Sequence, residues 1–209
     1  GLGDVYKRQE QPVTWSQADV SHSGIVTVKG ESDGRQVEAR VEVLAVEREL
    51  PVIKRVAPGT DLSAVDKSVA LALTDGSLEH YDVDKWEIAP EDKEKLSVPG
   101  SRIQMTGQLA GTKVSATLLV TDSEAEAPVN PAVTLDGDSV AGLTSQKPVH
   151  YHSLAYGSQL PLVAATAENA DVTVVQASVA NGLRASIYVQ PKDGGALQTY
   201  ACLLYTSDA

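Results

Sequence analysis

A chain of 209 residues has room for one large domain or two to three small ones. Its 28 acidic against 17 basic residues leave a formal charge of −11, which argues against a nucleic-acid or anionic-membrane partner, because phosphates need basic patches to neutralise them. No apolar run approaches the roughly 20 residues needed to span a bilayer, and at 42% hydrophobic residues the chain is too apolar to be wholly disordered.

The chain opens on Gly1-Leu2-Gly3-Asp4-Val5-Tyr6-Lys7-Arg8-Gln9, which has no periodicity and joins no repeat. It closes on Cys202-Leu203-Leu204-Tyr205-Thr206-Ser207-Asp208-Ala209, which carries the only cysteine. Both ends resemble translated sequencing adapters: Asp4 to Gln9 matches a transposon mosaic end, and Cys202 to Ser207 matches its reverse complement. Residues 1–9 and 202–209 are therefore set aside before fold reasoning. The remaining insert keeps a charge of −11 and has no cysteine, so it offers neither a disulfide framework nor a Cys-based metal site or nucleophile. The expectation is an internal slice of a longer gene.

An internal repeat organises the insert. Trp15, Gly24, Val26-Thr27-Val28-Lys29-Gly30, Gly34 and Val37 to Val43 recur as Trp86, Gly100, Ile103-Gln104-Met105-Thr106-Gly107, Gly111 and Val114 to Val120. From Gly30/Gly107 onward the offset is 77 residues, whereas the Trp pair is offset by 71, which places a longer loop, with the charged run Glu91 to Lys95, in the second copy. Each copy reads as a β-hairpin. Val37, Ala39, Val41 and Val43 alternate with Glu38, Arg40 and Glu42, a period of two with one wet face. Gly30 to Gly34 supplies the positive-φ positions of a hairpin turn. Pro58-Gly59 and Pro99-Gly100 punctuate further turns.

These residues resemble the bacterial immunoglobulin-like domain of group 4, whose pattern is a Trp-containing strand, a G-x-V-x-G-like strand, a small Gly turn and an A-x-V-x-V final strand. On that resemblance residues 47–122 are one complete Ig-like domain. Its early half includes Val56-Ala57-Pro58-Gly59-Thr60, Val69 to Leu73 and Asp75-Gly76. Residues 10–46 are the C-terminal half of a preceding copy. Residues 123–131, with Pro128 and Pro131, read as a linker. Residues 132–201 read as a β-sandwich module whose last strand is cut away, with strands at Ala132 to Leu135, Leu160 to Ala165, Val172 to Ala177 and Leu183 to Val189. Asp136-Gly137-Asp138, Asn181-Gly182 and Asp193-Gly194-Gly195 supply its turns. This third unit resembles sandwich modules of long secreted glycosidases.

Candidate chemistry is sparse. His150 and His152 share one strand face and could suit a metal, but spacing marks no third ligand, so exposed strand histidines are the favoured reading. Asp136-Gly137-Asp138 lacks the spacing of a calcium loop and reads as a turn. Trp15 and Trp86 could stack on sugars, yet their equivalent repeat positions favour core packing. Tyr151, Tyr156 and Tyr188 are the better carbohydrate-contact candidates, although packing remains the favoured role for them as well. The carboxylates fall mostly in turns, in the Glu91 to Glu94 run or on wet strand positions, unlike the placed pair of a glycosidase. No catalytic residue, cofactor site or metal site is expected.

The expectation is thus an all-β tandem of Ig-like β-sandwich modules, the first and third truncated, with two of them independently packed. The resemblance implies a monomeric, non-catalytic spacer or accessory region of a secreted or surface bacterial glycoside hydrolase, similar to family 2 β-galactosidases. Its partner is then the catalytic domain of the same parent chain, with carbohydrate or cell wall beyond it. The alternatives are a carbohydrate-binding module and the stalk of a surface adhesin. Fold alone does not decide between them.

Overall fold

The computed structural model describes residues 11–206 of the chain. The opening stretch read as adapter lies outside the described residues, as do the last three residues. Two compact units divide between Ala45 and Val46.

The first unit is a three-stranded antiparallel sheet of β1 (Thr14–Trp15), β2 (Gly24–Ser32) and β3 (Arg35–Val43), in that spatial order. The β2–β3 hairpin turns at Asp33 and Gly34, both left-handed with φ of 48° and 74°. Two consecutive positive-φ residues match the twist of the flanking strands, and Asp-Gly is the dipeptide that adopts them most cheaply.

The second unit begins with β4 (Val46–Leu50), β5 (Ile53–Val56), β6 (Ser68–Leu73), β7 (Leu78–Asp82), β8 (Arg102–Leu109) and β9 (Thr112–Val120). These form two facing sheets, ordered β4-β6-β7 and β5-β9-β8. Period-two alternation on β8 and β9 buries Ile103, Met105, Val114, Ala116, Leu118 and Val120. They meet Leu50 and Val69 of the opposite sheet in one core. β5 runs parallel to β9 and closes its outer edge, Ile53 opposite Thr117 and Val56 opposite Val120. The charged run of the long loop winds into a 3-10 segment, Pro90–Ser97, with proline at its start and Lys95 Nζ 2.6 Å from Asp92 Oδ1.

The repeat holds residue for residue. Val28 faces Ala39 in the first copy and Met105 faces Ala116 in the second, 77 residues on in both strands. Ser16 N donates to Lys29 O at 2.8 Å, and Glu87 N donates to Thr106 O at 2.8 Å, reproducing the 71-residue and 77-residue offsets. The turn recurs at Ala110 and Gly111, with φ of 48° and 82°.

A second sandwich follows: β10 (Ala132–Leu135), β11 (Asp138–Val140), β12 (Val149–Leu154), β13 (Val163–Thr166), β14 (Ala170–Val175), β15 (Arg184–Pro191) and β16 (Gln198–Thr206). Its sheets are ordered β11-β10-β13 and β12-β16-β15-β14. Val133, Leu135, Val163, Ile187, Val189 and Tyr200 pack between them. Cys202 to Thr206, read from sequence as adapter, continue β16 between β15 and β12. Cys202 and Leu204 are buried there. This apolar, β-prone stretch pairs with both neighbouring strands and so extends the sheet.

The two sandwiches of the second unit are joined rather than independently packed, contrary to the sequence expectation. Val175 and Tyr188 of the later sandwich sit in the same apolar cluster as Leu50, Val69 and Trp86 of the earlier one. The Arg55 guanidinium donates to the carbonyls of Asp193 and Ser123. Arg102 donates to Lys192 O at 2.6 Å, and Asp193 Oδ2 accepts from Glu126 N at 2.6 Å. Residues 123–131 form no strand, but these bonds tie them down.

Candidate functional site

Trp15 lines one cleft, His150, His152, Asp136 and Asp138 line another, and a third lies at the junction of the two sandwiches. The largest, about 600 Å³, lies beside Trp15 in the first unit and is rimmed by Lys29, Glu31, Ser32, Asp33 and Gln36. Trp15 lies over Gly30, where a Cβ would come within 2.6 Å of Trp15 Cε3. Only glycine admits the ring this close. Trp15 is 47% exposed, which corrects the expectation that it packs in a core. Its repeat partner Trp86 is 5% exposed, shares a core with Met105, Ala116 and Leu118, and donates from Nε1 to Asp66 O at 2.8 Å. The difference is tertiary. Trp86 lies in the core between β4-β6-β7 and β5-β9-β8, whereas Trp15 stands on the three-stranded sheet of the first unit.

A second cleft, about 330 Å³, lies at the junction of the two sandwiches. It is lined by Lys54, Asp66, Ser68, His80 and the Gly194-Gly195 turn. Lys54 donates to Asp66 and, at 2.8 Å, to Ser68 Oγ, so its charge is already paired. Partial burial pulls the Asp66 carboxyl upward. The hydrogen bonds from Lys54 and Ser68 outweigh this and hold it below the usual aspartate value.

The third cleft, also about 330 Å³, brings together two motifs that are separate in sequence. His150 and His152 of β12 line it with Asp136 and Asp138 from the β10–β11 turn. The imidazole centroids are 6.2 Å apart and tilted by 32°. Asp136 Oδ1 accepts from Leu162 N at 2.8 Å and so fixes the neighbouring chain. Among the described residues, no group of three or more His, Cys, Asp or Glu side chains is placed to hold a metal ion. Asp136 and Gly137 are the two positive-φ residues of a tight turn, with φ of 49° and 93°, which is the geometry their sequence predicts.

Of the three tyrosines proposed as carbohydrate contacts, the structure separates one from the others. Tyr151 is 66% exposed on β12 and Tyr156 is 93% exposed in the loop that follows. Tyr188 is 1% exposed, embedded in the core shared by the two sandwiches. It has no ring face to offer a sugar, and burial raises its phenol pKa. Packing is the role the sequence favours for Tyr188, and the neighbouring sandwich supplies the cover.

Carboxylate chemistry runs opposite to a general acid's needs. Asp19, Asp61, Asp75, Glu87 and Asp193 titrate below their ordinary values. Each accepts hydrogen bonds, chiefly from a nearby serine at Asp19, Asp61 and Asp75, from Lys85 at Glu87 and from backbone amides at Asp193. A glycosidase acid needs a carboxyl whose pKa is raised.

Sequence reasoning missed the polar residues that fasten the later sandwich. Asn181 is buried, accepts from Ser178 N at 2.8 Å and donates from Nδ2 to Gln176 O at 2.9 Å. Gln176 in turn pairs both ends of its amide with the backbone of Val163. Asn181-Gly182 was legible as a turn, but nothing local indicates that its side chain closes a buried network.

No family model matches the chain, and no curated protein matches it closely. Among solved structures it is similar to the I9–I11 tandem from titin at 11% identity, covering 94% of this chain and 89% of that one, with a TM-score of 0.16. At that score the assignment of an all-β tandem of Ig-like sandwich modules rests on the sheets described above.

Proposed function

We propose that this chain is a non-catalytic Ig-like spacer or accessory region of a secreted or cell-surface bacterial glycoside hydrolase with a β-galactosidase-like parent. It presents the parent's catalytic domain or a neighbouring module toward carbohydrate or cell wall. The observation that supports this is the joint between the two later sandwiches. A shared apolar cluster and the Arg55 and Arg102 bonds hold consecutive modules in one orientation, as a spacer requires. The test is a screen of the purified chain against chromogenic glycosides. No turnover is expected. Turnover that vanishes on changing one Asp or Glu overturns the reading.

A second reading, direct carbohydrate binding, is favoured by the exposure of Tyr151 and Tyr156. Aromatic rings that stand in water can stack on sugar faces. Glycan-array binding that is lost in Tyr151→Ala or Tyr156→Ala, with unchanged stability, supports it over the spacer role.

A further inference from the structure

Strand β15 presents two unlike faces. Ala185, Ile187 and Val189 enter the core of the later sandwich. Arg184, Ser186, Tyr188 and Gln190 lie on the opposite face, where Tyr188 and the neighbouring Val175 of β14 join the apolar cluster of the earlier sandwich. This covered face has a satisfied end and an unsatisfied one. Gln190 is buried, but its Nε2 donates to Gly195 O at 2.7 Å. The bonds from Arg55 and Arg102 across the joint reach Asp193 O and Lys192 O at this same end. Toward the other end, Tyr188 Oη, Ser186 Oγ and Arg184 Nε are buried and have no hydrogen-bond partner among the described residues. Burial raises the Tyr188 phenol pKa, and the nearby Ser186 and Arg184 offset only part of that rise. The β6–β7 turn of the earlier sandwich rests here in van der Waals contact: a Cβ at Gly76 would stand 3.4 Å from Asn181 Cβ and 3.9 Å from Arg184 Cδ.

We propose that the joint between the two later sandwiches is a two-position hinge, which pivots on the bonds at residues 192–195 and opens where Gly76 meets Arg184, wetting Arg184, Ser186 and Tyr188 while both sandwiches stay folded. A buried polar group without a partner loses its hydration and gains nothing in exchange, so each of these three opposes closure. The penalty belongs to the joint alone, because all three are hydrated again once the β6–β7 turn lifts away. Opening leaves Ala185, Ile187 and Val189 in their own core, so the later sandwich keeps its apolar layer. Closure is held by the shared apolar cluster and by the bonds at the far end, and that asymmetry sets which end opens. The proposal goes beyond the spacer reading and does not depend on it. Closed, the modules keep the single orientation described above; open, they part along one edge.

The experiment is thiol labelling of the folded full chain carrying Ser186→Cys, with Cys202 as the internal reference. Cys202 is buried in the core of the later sandwich and reports the opening of that sandwich. Each thiol's rate with iodoacetamide is divided by its rate in the urea-unfolded chain. Position 186 is expected to label about tenfold or more faster than Cys202, because the joint opens more often than the sandwich. Adding Tyr188→Phe removes one unpartnered hydroxyl and keeps the ring, so labelling at position 186 should slow about fivefold or more while Cys202 is unchanged. Should Ser186→Cys fold poorly, nitration of the unmodified chain compares Tyr188 with Tyr200, each 1% exposed, and Tyr188 should react the faster. Equal rates at the compared positions in either assay overturn the proposal, since the joint would then open only when the later sandwich unfolds. Labelling at position 186 that is unchanged or faster with Tyr188→Phe overturns it as well.

Discussion

The two tryptophans make an informative comparison, since they share residue type and repeat position and differ in exposure. Trp86→Ala empties a packed site and should cost about 3–5 kcal/mol. It also strands the Asp66 carbonyl that accepts from Nε1 at 2.8 Å, which adds about 1 kcal/mol. Against a module stability of about 5–15 kcal/mol, that loss brings the earlier sandwich close to unfolding at room temperature. Trp15 leaves nearly half its surface in water, so Trp15→Ala forfeits only part of a transfer term, and water fills the space; about 1 kcal/mol is expected. Because the two units need not unfold together, the assay is urea titration read by hydrogen exchange in separate segments, β2–β3 for Trp15 and β8–β9 for Trp86. Trp86→Phe separates the indole hydrogen bond from the apolar packing. Equal losses for the two alanine variants, or a loss below about 1 kcal/mol for Trp86→Ala, would refute the assignment of cover to β4-β6-β7.

Ala110 holds φ of 48° in a turn where the first copy uses Asp33, so Ala110→Gly should stabilise the β8–β9 hairpin by about 1 kcal/mol, read as a higher urea midpoint. Arg55→Ala should speed exchange at Gly194-Gly195 and in 123–126 while leaving β8–β9 unchanged, since it removes only the bonds across the joint. Asp66, Asp75 and Asp193 titrate below the ordinary value of 3.8 when folded and recover it when unfolded. Their contribution is therefore complete above that value and lost as pH falls through the lower native values, so urea midpoints should drop on acidification below about pH 4. Cys202 is fully buried and burial raises its thiol pKa, so alkylation should proceed only as fast as the later sandwich opens; rapid labelling of the folded chain would remove Cys202 to Thr206 from β16.

Much of the architecture was legible because it is local. Alternation in Val37 to Val43 and Val114 to Val120, the Asp33-Gly34 turn and the 77-residue offset each follow from side-chain period and backbone sterics within a few residues. The placement of Trp86 in a core followed from the repeat. The candidate sites were less legible. His150, His152, Asp136 and Asp138 share a cleft only because β12 and the β10–β11 turn meet in space. Trp15, expected in a core, stands 47% exposed, while Tyr188 packs as its favoured role has it. A strand's pattern states which residues share a face, but whether that face meets water depends on what packs over it. For β15 a neighbouring sandwich covers the polar-looking side, whereas Trp15 of β1 stays 47% exposed. Thus the sequence by itself determined the strands, their turns and the repeat, through period-two patterning and positive-φ residues. Only the tertiary structure decided burial, because burial is set by contacts between segments far apart in the chain.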